Sequence, residues 1–179
     1  ARLRPFTVVA TYFPRNNMTA ELISLKQFLV NTPFFGGLAE ATLDTLVSRL
    51  RRVRVKAGDL VFREGDTGRS MYIVESGEVL MFRLGLTGNE VHLVRLSPGN
   101  FFGETTLIEM QPRPWNARAE RDTELLELSN IELYNLYRDD VKAYVLVLQN
   151  INRELCRRLR RSDLRITEIA DETGDGRTQ

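Results

Sequence analysis

The residues best suited to ligand chemistry lie in one stretch, FGETTLIEMQPRPWN, at positions 102–116. Gly103 forms a turn that feeds a predicted short helix. The first amide groups of a helix, here those of Thr105 and Thr106, have no hydrogen-bond partner inside it. Such N–H groups attract anions, and the glycine lets a ligand approach the backbone closely. The stretch therefore predicts an anion-binding turn.

An arginine and a glutamate flank this turn. The planar guanidinium of Arg113 matches two oxygens of a phosphate and keeps its charge at every relevant pH. Glu104 would repel a phosphate, but its carboxylate can accept hydrogen bonds from a sugar hydroxyl. A nucleotide meets both demands. A simpler interpretation stays open, in which Glu104 is a carboxylate at a helix N-terminus and Arg113 is its ion-pair partner.

The sequence gives little basis for catalysis or metal binding. His92 is the only histidine, and it lies in an alternating pattern typical of a half-exposed strand residue. A metal-dependent cupin needs several histidines around one metal, and no serine or cysteine has a suitable histidine partner. We therefore expect neither an enzyme nor a metal site. The one cysteine, Cys156, cannot form an intramolecular disulfide, which is typical of a reducing compartment and favours the cytoplasm.

Composition and patterning indicate which elements position these residues. With 179 residues, 42% hydrophobic and 27% charged, the chain is expected to form one globular domain. No apolar run is long enough to cross a bilayer, so we expect no membrane association. We place an irregular leader or cloning remnant at 1–18, the domain at 19–165 and a polar tail at 166–179.

The predicted fold is mainly β with flanking helices. One helix should begin at Thr19 and end near Gln27, and a second should follow the Pro33 break. From about residue 51 the pattern alternates in short runs separated by glycine turns, with a last strand pair at NARAE and ELLELS. Many short strands with glycine turns between them indicate a roll or a barrel.

A long C-terminal helix is predicted from near Asp140. Its apolar residues advance by three or four positions, close to the 3.5-residue repeat of paired helices. We expect this seam to form a homodimer, and the alternative is packing against the roll of the same chain. The seam residues are Tyr144, Leu148, Ile151 and Leu155.

Four motifs in order, AGDLVFREGD, YIVESGEV, LVRLSPGNFFGE and PRPWNARA, resemble the cyclic nucleotide-binding domain family of the catabolite activator protein and the protein kinase A regulatory subunit. The resemblance spans roughly residues 38–159. It implies a β-roll, a double-stranded β-helix of the jelly-roll type, whose phosphate-binding cassette holds cAMP or cGMP, with no further cofactor. It also implies that Gly103 and Thr106 donate backbone N–H groups, Glu104 binds the ribose 2′-hydroxyl and Arg113 binds the cyclic phosphate.

The cassette departs from the family pattern at three places. Thr105 and Thr106 stand where Leu-Ala is usual, which keeps the amides and makes the pocket more polar. Pro114 follows the arginine and has no N–H to give to the phosphate. Trp115 and Asn116 replace an Ala-Thr pair, and the Asn116 amide can hydrogen-bond a purine edge. The base preference therefore stays open.

The arginine-rich stretch NRELCRRLRRSDLR is typical of a solvated helix face. By analogy with relatives whose helix covers the purine, we expect Arg158 and Ser162 to touch the base. Only a short helical extension and a polar tail follow, so we expect no recognition helix and no DNA binding by this chain. The predicted function is a signalling sensor that couples nucleotide binding to its C-terminal helix. The alternatives are a degenerate interaction or dimerisation module and the sensing part of a truncated transcription regulator.

Overall fold

A computed structural model describes residues 18–173 of the chain, with side chains from Ile23 to Glu172. The predicted leader, apart from its last residue, and the end of the predicted tail lie outside the described residues. The described elements, in chain order, are helix α1 (Met18–Val30), a 3₁₀ turn (Pro33–Phe35), α2 (Glu40–Arg49), strands β1 (Arg51–Val55), β2 (Leu60–Phe62), β3 (Ser70–Ser76), β4 (Val79–Leu84), β5 (Glu90–Leu96) and β6 (Phe101–Phe102), α3 (Thr105–Glu109), β7 (Asn116–Ala119), β8 (Thr123–Ser129), α4 (Asn130–Asp139) and α5 (Val141–Thr173).

The eight strands form two antiparallel sheets of four, in the orders β1-β8-β3-β6 and β2-β7-β4-β5. Non-consecutive strands pair within each sheet, so the chain passes back and forth between the sheets and encloses one interior. Val74, Val79, Phe102 and Leu125 are among the buried residues that fill it. The predicted β-roll with flanking helices and a long C-terminal helix is confirmed.

The N-terminal helices follow the sequence pattern, although α1 is longer than predicted and runs to Val30. Thr32 and Pro33 then end it, because proline cannot continue an α-helix and the chain turns into the 3₁₀ segment. Leu29 and Phe34 pack with α2, α4 and α5 against the outer face of the first sheet. This second core joins the helices to the roll.

Helix α5 packs against its own chain along one side. Ala143, Val147 and Ile151 are buried in the second core, and Tyr144, Leu148 and Leu155 of the same helix pack partly buried against it. Ile151 is only 1% exposed, so it cannot touch a second chain in this conformation. For Ile151 this conformation matches the alternative that the sequence left open, packing against its own chain, because a spacing of three and four residues also describes a helix stripe packed on a core.

The same helix carries a different row of exposed apolar side chains. Val145, Leu159 and Ile166 are 44%, 62% and 65% exposed. They lie fourteen and seven residues apart, at one heptad position that Asn152 also occupies. The helix continues to Thr173, past the domain boundary that we placed at residue 165. The first part of the predicted polar tail is therefore helical. Among the described residues, no helix is both long and apolar enough to cross a membrane.

Candidate functional site

The chain reaches the site through a tight turn at the end of β6. Strand β6 pairs with β3, and Gly103 follows it with a φ of 79°, a conformation that glycine adopts without strain. A Cβ atom at this position would lie 2.5 Å from Nη1 of Arg113. The glycine is therefore required both by the backbone angle and by the close approach of the arginine.

The Arg113 guanidinium is held inside the protein. The residue is 4% exposed. Its Nη1 donates to the carbonyl oxygen of Gly103 at 2.8 Å and to Oγ1 of Thr106 at 2.9 Å, and its Nη2 donates to the carbonyl oxygen of Ser70 at 2.6 Å. These three bonds fix the plane and direction of the fork, so Arg113 is positioned before any ligand arrives.

Aromatic rings complete the environment of this guanidinium. Its central carbon lies 4.1 Å from the ring centroid of Phe62 and 5.8 Å from that of Tyr72. Stacking on rings suits a planar, weakly hydrated cation. Burial lowers the pKa of Arg113 from its ordinary value, and an arginine so perturbed still carries its charge at neutral pH.

Thr106 connects the two halves of the turn. Its hydroxyl donates to the carbonyl oxygen of Gly103 at 2.9 Å while accepting from Arg113. The first hydrogen bonds of α3 run from the N–H groups of Leu107 and Ile108 to the carbonyl oxygen of Glu104. The amides of Thr105 and Thr106 precede these bonds and have no partner within the helix, as the sequence predicted.

Glu104 is buried at the other end of the turn, with 3% of its surface exposed. Burial raises the pKa of its carboxyl group, and the nearby positive charge of Arg158 opposes that shift. Although Glu104 is the N-cap residue of α3, its side chain makes no capping hydrogen bond. Arg113 and Glu104 share no hydrogen bond or ion pair among the contacts that the structure describes. The simpler interpretation therefore fails for the ion pair, although Glu104 does lie at the N-terminus of α3.

The side chain of Arg158, in α5, contacts the Glu104 carboxylate. Its Nη1 lies 3.2 Å from Oε1 of Glu104, and its Nη2 donates to the carbonyl oxygen of Phe101. The guanidinium also stacks on the Phe101 ring at 4.8 Å and lies 3.4 Å from Glu154 on its own helix. The long helix is therefore tied directly to the end of the turn that the sequence assigned to a sugar.

The other predicted site residues lie around this centre. Thr105 is half-buried at the start of α3, and Ser162 is exposed one turn beyond Arg158. The Pro114 carbonyl oxygen accepts from Arg83 at 2.8 Å. Asn116 Oδ1 accepts from the Glu64 N–H at 3.1 Å, so this amide is engaged with the roll's own backbone and its predicted bond to a purine edge stays a prediction.

Sequence reasoning missed the Ser70 carbonyl and the Phe62 and Tyr72 rings around Arg113. Ser70 is 43 residues from Arg113 in the chain, and the contact is made through a backbone atom, which carries no sequence signal. A glycine at 68 is the one available hint, since a Cβ there would lie 2.7 Å from Nε of Arg113. In the part of the chain that is described, no cluster of side chains could hold a metal ion.

Comparison with known proteins gives the class of this domain. Residues 52–140 match the cyclic nucleotide-binding domain family. The cyclic AMP receptor protein of Thermus thermophilus is 37% identical over 150 residues, which cover 82% of this chain and 66% of that protein. The cAMP-dependent protein kinase regulatory subunit of Blastocladiella emersonii is 33% identical over 93 residues, which cover 52% of this chain and 23% of that subunit.

Solved structures agree with this placement. The catabolite activator protein of Thermus thermophilus has a TM-score of 0.68 at 37% identity, over 78% of this chain and 63% of that one. A cyclic nucleotide-binding domain from Methylobacillus flagellatus has a TM-score of 0.74 at 22% identity, over 83% of this chain and 84% of that one. At this identity the likeness supports the fold alone. The chain belongs to the cyclic nucleotide-binding domain family. It spans about two thirds of the Thermus protein and about a quarter of the kinase subunit.

Proposed function

We propose that this domain binds cAMP or cGMP at the turn between Gly103 and Arg113 and does not alter the ligand chemically. The main support for this proposal is that Arg113 and Glu104 are both buried and lie at the two ends of this turn. The first helical amides of the turn have no partner within α3. A cyclic phosphate would take the amides and the guanidinium, and the ribose 2′-hydroxyl would donate to Glu104. The cAMP-dependent relatives support this ligand class.

Ligand binding would be coupled to α5 through Arg158. A ribose hydroxyl at Glu104 would compete with, or rearrange around, the guanidinium that lies 3.2 Å from the same carboxylate. Because Arg158 belongs to α5, the change at the turn biases the position of that helix. The predicted contact of Arg158 and Ser162 with the base is part of the same proposal, since both lie on the stretch of α5 above the turn.

The exposed apolar row of α5 is a revised candidate for the homodimer seam. Val145, Asn152, Leu159 and Ile166 share one heptad position, and Leu148, Leu155, Ser162 and Ile169 share the other. Val145 and Ile166 are β-branched residues at the first position, and Leu148 and Leu155 are leucines at the second. Together with the single asparagine in the seam, these residue types favour a parallel pair of helices. Tyr144 lies on the edge that packs against the chain's own core.

One observation favours the alternative of a degenerate interaction module. The Nη1 and Nη2 groups of Arg113 already donate to protein oxygens, so a phosphate has to use the remaining donors or displace these bonds. Calorimetric titration with cAMP and cGMP separates the two functions. We expect saturable heat with at least one of them, and no heat with either at millimolar concentration would support the degenerate module instead.

A further inference from the structure

A second surface depression lies away from the candidate nucleotide site, between the 3₁₀ turn and α5. It has a volume of about 450 Å³ and is lined by Pro33, Gly36, Gly37, Leu146, Asn150, Arg153 and Arg157. We refer to it as the Arg153 groove. None of these residues takes part in the nucleotide proposal, and at ~100° per residue the α5 positions that line it lie on roughly the opposite side of the helix from the exposed apolar row.

The walls of the Arg153 groove are held together by a buried amide. Asn150 is 6% exposed. Its Nδ2 donates to the carbonyl oxygens of Phe34 and Gly36 at 3.0 and 2.9 Å, and its Oδ1 accepts from Nη1 of Arg153 at 2.7 Å. Asn150 of α5 thus holds both the 3₁₀ turn and the Arg153 side chain in place, so the groove is a built feature of the fold.

The charge of the groove is positive. Both ionisable residues in its lining are arginines, and no carboxylate lines it. Within residues 18–173, Arg153 donates to the neutral amide oxygen of Asn150, a contact that leaves the charge of the arginine uncompensated. The Glu154 carboxylate pairs with two arginines: its oxygens lie 3.3 Å from Nη1 of Arg157 and 3.4 Å from Nε of Arg158. It therefore compensates the charge of Arg157 only in part. The groove therefore attracts a negatively charged occupant.

The shape and lining favour an extended peptide over other anions. Pro33 and Leu146 give apolar contact, and a Cβ built at Gly37 would meet no atom within 4 Å, so the backbone there is open to an approaching chain. Arg153 and Arg157 are one helical turn apart, ~6 Å, a spacing that two acidic side chains of an extended strand can match. We propose that the Arg153 groove binds a short, extended acidic segment of a partner protein.

Fluorescence polarisation with the full chain tests this. The probe is a labelled, terminally blocked peptide, Gly-Asp-Glu-Leu-Glu-Asp-Gly, and its control has Asn and Gln in place of the acids. We expect binding of the acidic probe alone, weakened at least tenfold, or ~1.4 kcal/mol, by the double change Arg153→Gln and Arg157→Gln. The matched pair Arg161→Gln and Arg165→Gln, on the same helix beyond the groove, should change the affinity less than twofold.

Two further measurements separate a groove from a charged surface. Leu146→Phe fills the groove and keeps both arginines, so it should also weaken binding of the acidic probe. The thermal unfolding of this variant should match that of the parent. Amide resonances of Gly36 and Gly37 should shift on titration. The proposal would be overturned if both arginine pairs lost the same affinity for the probe, or if the parent chain did not bind the probe. It would be overturned in favour of nucleic acid if a ten-nucleotide thymidine strand bound more tightly than the peptide.

Discussion

Arg158 and Glu104 form an ion pair at 3.2 Å, although 54 residues separate them in the chain. The carboxylate side chain is 5% exposed and the arginine side chain 26% exposed. The pair joins the candidate sugar contact to the longest helix of the domain. Such a contact is needed if ligand binding is to change the conformation of a distant element. A ligand shifts the equilibrium between two conformations only when it binds them with different affinity.

Replacing Arg113 by lysine should weaken cyclic nucleotide binding about ten- to a hundredfold, or ~1.5–3 kcal/mol, because the charge is kept and the planar fork is lost. Isothermal titration calorimetry measures the change. Arg121→Lys is the control, since the Arg121 side chain is 66% exposed on a distant turn. An unchanged affinity in Arg113→Lys would place the phosphate somewhere else.

Glu104→Gln should weaken ribonucleotides more than their 2′-deoxy analogues, because only the ribonucleotides carry the hydroxyl that donates to this carboxylate. Paired titrations of cAMP and 2′-deoxy-cAMP with the parent and the variant give the comparison. Equal losses for the two ligands would contradict the sugar contact and leave Glu104 with its structural role against Arg158.

The raised pKa of Glu104 should appear in the pH dependence of stability. Above the ordinary glutamate value of 4.5, the folded state holds this proton more tightly than the unfolded state does. Its contribution to the free energy of unfolding therefore falls as pH rises from that value through the raised folded pKa. Urea denaturation of the parent and Glu104→Gln across this range should show the parent losing stability relative to the variant. A parent that gained relative stability with pH would imply a lowered pKa.

Cys156 provides a reporter for α5, since it is the single cysteine and is exposed two residues before Arg158. A fluorophore attached there should change its emission when cAMP or cGMP binds. In Arg158→Gln this change should be lost at a ligand concentration that calorimetry shows to be saturating, because the site is then occupied but the link between turn and helix is gone. Arg161→Gln should respond like the parent. An identical signal in Arg158→Gln would rule out coupling through the pair.

Leu159→Asp should convert the proposed dimer to a monomer, because it places a charge in the apolar seam. Light scattering should then give about 20.6 kDa for the variant and twice that for the parent. Leu164→Asp is the control, since Leu164 is similarly exposed at 65% but lies off the seam. A parent that never exceeds the mass of one chain would exclude the dimer.

Local patterns in the sequence predicted the elements of the architecture. The alternating runs between glycine turns predicted the short strands of a roll or barrel, and the spacing of three and four residues after Asp140 predicted the long helix. Both depend on periodicity and turn chemistry, which are properties of neighbouring residues. The turn at Gly103 was found for the same reason, since its glycine, its glutamate and the following helix start are contiguous.

Only the tertiary structure decided which partners these residues take. It gave the Arg113 guanidinium three protein oxygens, paired Glu104 with Arg158, and turned Ile151 inward while Leu159 faces out. A helical spacing specifies that residues share a face, but the fold alone determines what that face meets. Backbone carbonyls such as that of Ser70 have no residue-type signature, so contacts across the roll cannot be read from the order of the amino acids.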